Sequence, residues 1–191
     1  RYGTVTGVQT CALPISRTSG DQLVSLMFPQ FDLSGSIKEI ARGIPASPGA
    51  AVGEAVFDSK RAFDLARSGK KVILVRRETS PDDLVGMVAA EGILTSRGGK
   101  TSHAAVVARG MGKTAVCGTE SISVDERAHL FTVGGLTIYE GETISIDGST
   151  GAVYAGVVPV IASPVTAYLE GRLDPESSHA TPVVKRSEEH T

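Results

Sequence analysis

The stretch GILTSRGGKTSHAAVVARG, residues 92–110, constrains the fold more than any other part of the chain. Residues 92–96 form a short apolar run and read as a strand. Gly98 and Gly99 let the backbone turn sharply and bring its N–H groups close to whatever lies above. A small-residue segment over about 102–109, closed by Gly110, then reads as a helix. Strand, glycine turn and helix in that order call for an α/β arrangement. Thr101 or Ser102 caps the helix, and Ala104, Ala105 and Ala108 let it pack close to a sheet. His103 falls in the first turn, where unpaired N–H groups and the helix dipole amount to roughly half a positive charge. Such a place welcomes phosphate. It also disfavours a protonated imidazole, so the ring is expected to be neutral, with one nitrogen free as a nucleophile.

The surrounding text carries the same alternation. IPASPGAAVGEAVFD, after Gly43, is a turn feeding a strand; residues 59–68 are helical; KKVILVRR at 70–77 holds a buried strand, Val72 to Val75. SPDDLVGMVAAEG opens a helix with Ser80 as N-cap and Pro81 at the first helical position. TAVCG, LFTV, LTIYEG, TISID and AVYAG follow as short strands between glycine turns. The expected domain is therefore α/β over residues 43–161, with helices in its first half and a β-rich second half. Residues 17–42 and 162–185, with their Ser, Gly and Pro, read as linkers. Residues 1–16 and 186–191 fit neither pattern and resemble translated adapter sequence, so Cys11 and His190 are set aside.

Composition excludes several classes. The net charge of −2 gives no footing for nucleic acid or an anionic membrane, and no apolar run approaches the roughly 18 residues of a span. Two cysteines are too few for a disulfide framework, which makes a reducing cytoplasm the default compartment. His103, His129 and His179 lie too far apart in sequence for a zinc motif. Cys117 reads as a small buried hydrophobe, Arg109 as a cation complementing the helix C-terminus, and residues 147–151 as a hairpin turn. Arg97 is either a phosphate contact in a docked complex or a solvated strand-end arginine. Taken alone, the residues leave His103 as a nucleophile, as part of a non-covalent anion-binding docking module, or as a packing residue in an inert spacer.

GGKTSHAAVVARGMGK at 98–113 resembles the phosphohistidine signature of the pyruvate, phosphate dikinase family, which belongs with phosphoenolpyruvate synthase and enzyme I of the sugar phosphotransferase system. RGIPASPGAAVGEAVFD, KKVILVRRETSPDDLVGM, AEGILTSRGG and YEGETISIDGSTGAVYAG extend the likeness over roughly residues 38–162. Lys100 departs from it, since many dikinases carry Met there. The resemblance implies a swivelling β/β/α phosphohistidine domain. In such a domain His103 becomes the tele-phosphohistidine, with Gly98, Gly99, Thr101 and Ser102 as the phosphate cradle. It implies partners in the same parent chain: an ATP-grasp domain before residue 17 and a barrel for phosphoenolpyruvate and pyruvate after residue 185. Those partners would hold Mg²⁺, with no cofactor bound by this segment, and the parent would be a homodimer. Thr101 would be a regulatory phosphorylation site for a kinase/phosphorylase. A phosphoenolpyruvate synthase-like parent is the nearest alternative.

Overall fold

Glycine turns between short apolar runs keep each element brief, so the core has to be assembled from many strands. The structure, a computed structural model, describes residues 27–35 and 37–163. The expected terminal segments, residues 17–26 and 36 of the first expected linker and residues 164–185 of the second lie outside the described residues. In chain order the strands are β1 (Gln30–Phe31), β2 (Glu39–Arg42), β3 (Ile44–Ser47), β4 (Ala50–Val56), β5 (Val72–Arg76), β6 (Gly92–Thr95) and β7 (Thr114–Cys117). They continue as β8 (Ser123–Asp125), β9 (Leu130–Val133), β10 (Leu136–Tyr139), β11 (Thr143–Asp147), β12 (Ala152–Ala155) and β13 (Val160–Ile161). The helices are α1 (Ser59–Arg67), α2 (Leu84–Ala89) and α3 (His103–Gly110), with a 3₁₀ turn at Pro81–Asp83. None of them is long and apolar enough to cross a membrane.

Strands β4, β5, β6 and β7 run parallel and lie side by side in sequence order, each joined to the next by one helix. Right-handed crossovers in that order put all three helices on one face. The burial pattern agrees. Val72, Leu74, Ile93, Ala115 and Cys117 pack with Ala62 of α1, Met87 of α2 and Ala104, Ala105 and Ala108 of α3. The intervening residues Ile73, Val75, Leu94 and Val116 point the other way, into a cluster with Phe131, Val133 and Ile138 from the separate sheet β10-β9-β8. Because both faces are covered, β5 reads as an unbroken apolar run without polar alternation. Three layers result: helices, an eight-stranded sheet and a three-stranded sheet. This is the expected β/β/α architecture.

The large sheet has the order β2-β12-β11-β4-β5-β6-β7-β3, so β2 and β3 stand at its two ends while only Gly43 separates them in sequence. The two edges therefore meet there, and Gly43 N donates to Gly151 O at 2.8 Å. A Cβ on Gly43 would lie 2.7 Å from Val116 Cγ1 and 2.8 Å from Cys117 O. Strand pairing continues N-terminal to the expected start of the domain at residue 43. Residues 39–42 are a full strand of the sheet, paired with β12, and β1 pairs with β13 within a compact unit spanning Phe28–Ala162. EIAR has no apolar run to announce it, and its partner strand lies more than a hundred residues further on, out of reach of local pattern. Strand β8 likewise carries no apolar run, because its three residues are largely exposed.

Candidate functional site

The site begins where β5 and β6 end. Their parallel pairing continues past the strands: Ser96 N donates to Arg76 O at 3.2 Å and Arg97 N to Arg77 O at 2.9 Å. Thr95, fully buried, ties the exit from β6 with an Oγ1 bond to Arg97 O at 2.7 Å, and Thr119 N donates to Thr95 O at 3.0 Å. The chain then reverses at Gly98, whose φ of 104° lies in the region that L side chains rarely adopt. A Cβ there would sit 2.9 Å from Ser102 Cβ, and the Gly98 carbonyl abuts Gly118 so closely that a side chain at 118 would collide with it. Gly99 differs from its neighbour. It has an ordinary φ and open space around it, so the turn requires only the first glycine of the pair.

Ser102 N donates to Gly99 O at 3.0 Å, which closes the turn and delivers Ser102 as the N-cap of α3. Its Oγ accepts from Ala105 N at 3.4 Å. Of the two expected candidates Ser102 caps, while Thr101 is exposed and does not; the turn leaves it one residue too early. His103 is thus the first residue of the helix. Val106 N bonds to Ser102 O and Ala105 N to Ser102 Oγ, while the N–H groups of His103 and Ala104 have no partner among the described residues. Two donors and the positive end of the helix stay available beside the ring.

One side chain that the sequence did not reveal fixes that ring. Thr79, 7% exposed, places Oγ1 3.2 Å from His103 Nδ1. The tautomer with a proton on Nδ1 donates to this hydroxyl and leaves the Nε2 lone pair free. Thr79 is itself held by an anchored loop. Ser80 N donates to Asp83 Oδ2 at 2.8 Å, and Arg76 pairs with Asp83 at 3.3 Å and Glu126 at 3.2 Å while its Nη1 donates to Phe57 O. Adjacent parallel strands bring their following loops to the same end of the sheet, and that is the signal that could have found Thr79.

The remaining assignments sort cleanly. Cys117 is fully buried, and burial pushes its thiol up in pKa, against weaker opposing bonds from Thr95 and Ser102, so it packs as an inert neutral side chain. The Arg109 guanidinium reaches back to donate to the Lys100 carbonyl and braces the glycine turn, besides standing in the last turn of α3. Residues 147–151 form the β11–β12 hairpin turn, with the Asp147 carboxylate accepting from the Ser149 and Thr150 amides. His129 pairs with Glu140 at 2.7 Å in the small sheet and takes no part in the site. Arg97 is exposed and has no polar partner for its guanidinium among the described residues.

A histidine presented at a capped helix start, on a strand–glycine–helix corner of a β/β/α scaffold, defines a class. Residues 69–151 match the family described as PEP-utilising enzyme, mobile domain. Over 147 residues the chain is 51% identical to "Pyruvate, phosphate dikinase" of Rhizobium meliloti (strain 1021), covering 77% of this chain and 16% of that protein. It is 56% identical to "Pyruvate, phosphate dikinase 1, chloroplastic" of Arabidopsis thaliana, covering 74% of this chain and 15% of that protein. The chain thus matches the mobile domain of proteins about six times as long as the matched segment. Among solved structures, "N-terminal domain of Enzyme 1 - Nitrogen" aligns with a TM-score of 0.41 at 12% identity, over 69% of this chain and 97% of that one.

Proposed function

We propose that this chain is the phosphoryl-carrying domain of a pyruvate, phosphate dikinase, and that Nε2 of His103 is the carrier atom. The observation that carries the reading is the Thr79–His103 contact. It engages Nδ1 and leaves Nε2 as the reactive nitrogen, next to the two unpaired N–H groups at the start of α3. In the direction from phosphoenolpyruvate, the Nε2 lone pair attacks phosphorus. A P–N bond forms as the P–O bond to the enol oxygen breaks, and the enolate takes its proton on the partner domain to give pyruvate. The Nδ1 proton stays on the ring and shares the new positive charge with the Thr79 hydroxyl. The N–H groups of His103 and Ala104 and the helix dipole stabilise the phosphoryl oxygens. Phosphoryl transfer needs alignment and charge neutralisation more than covalent machinery, and each partner site would supply these in turn.

Ser102 serves this scheme as the cap that fixes the helix start, and Gly98 as the residue that permits the turn. Thr101, exposed two residues before His103, is accessible to a regulatory kinase/phosphorylase, and a phosphate there would place about −1.5 to −2 charge beside the acceptor. The donor set around His103 is one hydroxyl, one cap and buried alanines, which does not fit Mg²⁺, a cation that takes carboxylate oxygens. Metal, ATP-grasp and barrel sites would all belong to the partner domains of a cytoplasmic parent.

The test is transfer in trans. The chain is mixed with a dikinase relative whose own carrier histidine is replaced, together with labelled phosphoenolpyruvate and Mg²⁺. Acid-labile, alkali-stable label on His103, absent from His103→Asn, is the expected result. Unlabelled chain despite an active partner would favour the docking-module reading.

A further inference from the structure

A cleft of about 610 Å³ opens beside the ends of β5 and β6, lined by Arg77, Ser96, Arg97, Glu120 and Ser123 over Ile122. Neither His103 nor Thr79 lines it. Arg77 and Arg97 both line this cleft, and neither guanidinium has an ion pair or hydrogen bond among the described residues. Two of the nearby carboxylates are committed elsewhere: Asp83 and Glu126 pair with Arg76, and Glu126 Oε1 also accepts from the Arg77 backbone N–H at 3.0 Å. Glu120 lines the same cleft and pairs with neither arginine.

The two arginines are also held in register. Arg97 N donates to Arg77 O at 2.9 Å and Ser96 Oγ to the same carbonyl at 3.3 Å, so their backbones cannot drift apart. Two arginines against the one carboxylate of Glu120 leave the lining with a net positive charge that an anion would neutralise. Guanidinium forks match phosphate oxygens in bidentate geometry. The position agrees, because ligands of parallel sheets gather beyond the C-terminal ends of the strands. No aromatic side chain lines the cleft, so it offers nothing on which a base could stack.

We propose that this cleft binds the diphosphate group of a small molecule, as a site separate from His103 and independent of chemistry on it. The probe is inorganic diphosphate, titrated into the ¹⁵N-labelled full-length chain at low ionic strength. Saturable amide shifts at Arg77, Ser96, Arg97 and Ser123 are expected. The double substitution Arg77→Gln/Arg97→Gln should weaken binding by about tenfold or more with an otherwise native spectrum, while Lys38→Gln leaves it unchanged. His103→Asn should bind as the wild type does, which separates failure of this site from failure of the carrier reading. Absence of saturation at about 10 mM diphosphate, or an equal loss in Lys38→Gln, would overturn the proposal.

Discussion

His103 differs from an ordinary helix-start histidine in what its two ring nitrogens meet. Nδ1 faces a buried hydroxyl, and the neighbouring helix N–H groups are left over for an anion. Thr79 therefore acts as a positioning residue. Thr79→Val should slow phosphorylation of His103 by up to about tenfold, the worth of one hydrogen bond, and Thr79→Ser should restore it. Single-turnover labelling of the two variants checks this; equal rates for Val and wild type would remove Thr79 from the account. Thr101 makes its contribution through charge. Thr101→Glu puts an acid where it competes for the same helix end and repels incoming phosphate, whereas Thr101→Val leaves both untouched. Labelling should be lost in Glu and kept in Val, measured in the same assay.

At the scale of the element, the strand–turn–helix corner depends on one glycine and one cap. Gly98→Ala forces a side chain into a φ of 104° and against Ser102, so a loss of about 1–3 kcal/mol is expected. Gly99→Ala meets open space and should stay within about 0.5 kcal/mol. Urea midpoints of the two variants compare them directly, and an equal loss would show that the turn is misassigned. Ser102→Ala should cost about 1 kcal/mol by the same measurement. Most of this corner was legible from sequence, since glycine, cap and small-residue spacing are local signals. What was not legible is non-local. The pair Gly98-Gly99 looks symmetric until Gly118 and Ser102 are seen to crowd one member only. Thr101 and Ser102 are equivalent caps until the turn closes at Gly99. Thr79 stands 24 residues from the ring it holds, and β2 depends on a partner strand from the far end of the domain.

Across the whole molecule, closure of the large sheet at Gly43 makes the N-terminal strands part of the domain. A chain cut to residues 43–162 would expose the β12 edge and lose the buried side chains of Ala41 and Phe31, whereas one cut to 28–162 keeps both. The longer form should fold cooperatively and the shorter should be markedly less stable, by thermal unfolding. Equal melting temperatures would restore the boundary suggested by sequence. The two-layered core behind the site is equally demanding. Phe131 is fully buried, 6.4 Å from the Phe57 ring, so Phe131→Ala should cost about 3–5 kcal/mol without touching a residue of the site.

The central claim is that Nε2 of His103 carries the phosphoryl group, and one measurement reaches it directly. The chain is phosphorylated in trans by a dikinase relative lacking its own carrier histidine, then examined under alkaline conditions by ³¹P NMR and peptide mass spectrometry. The account predicts one acid-labile phosphate, on His103, with the chemical shift of the Nε2-linked isomer. Phosphate on Nδ1, or on any residue other than His103, would contradict it.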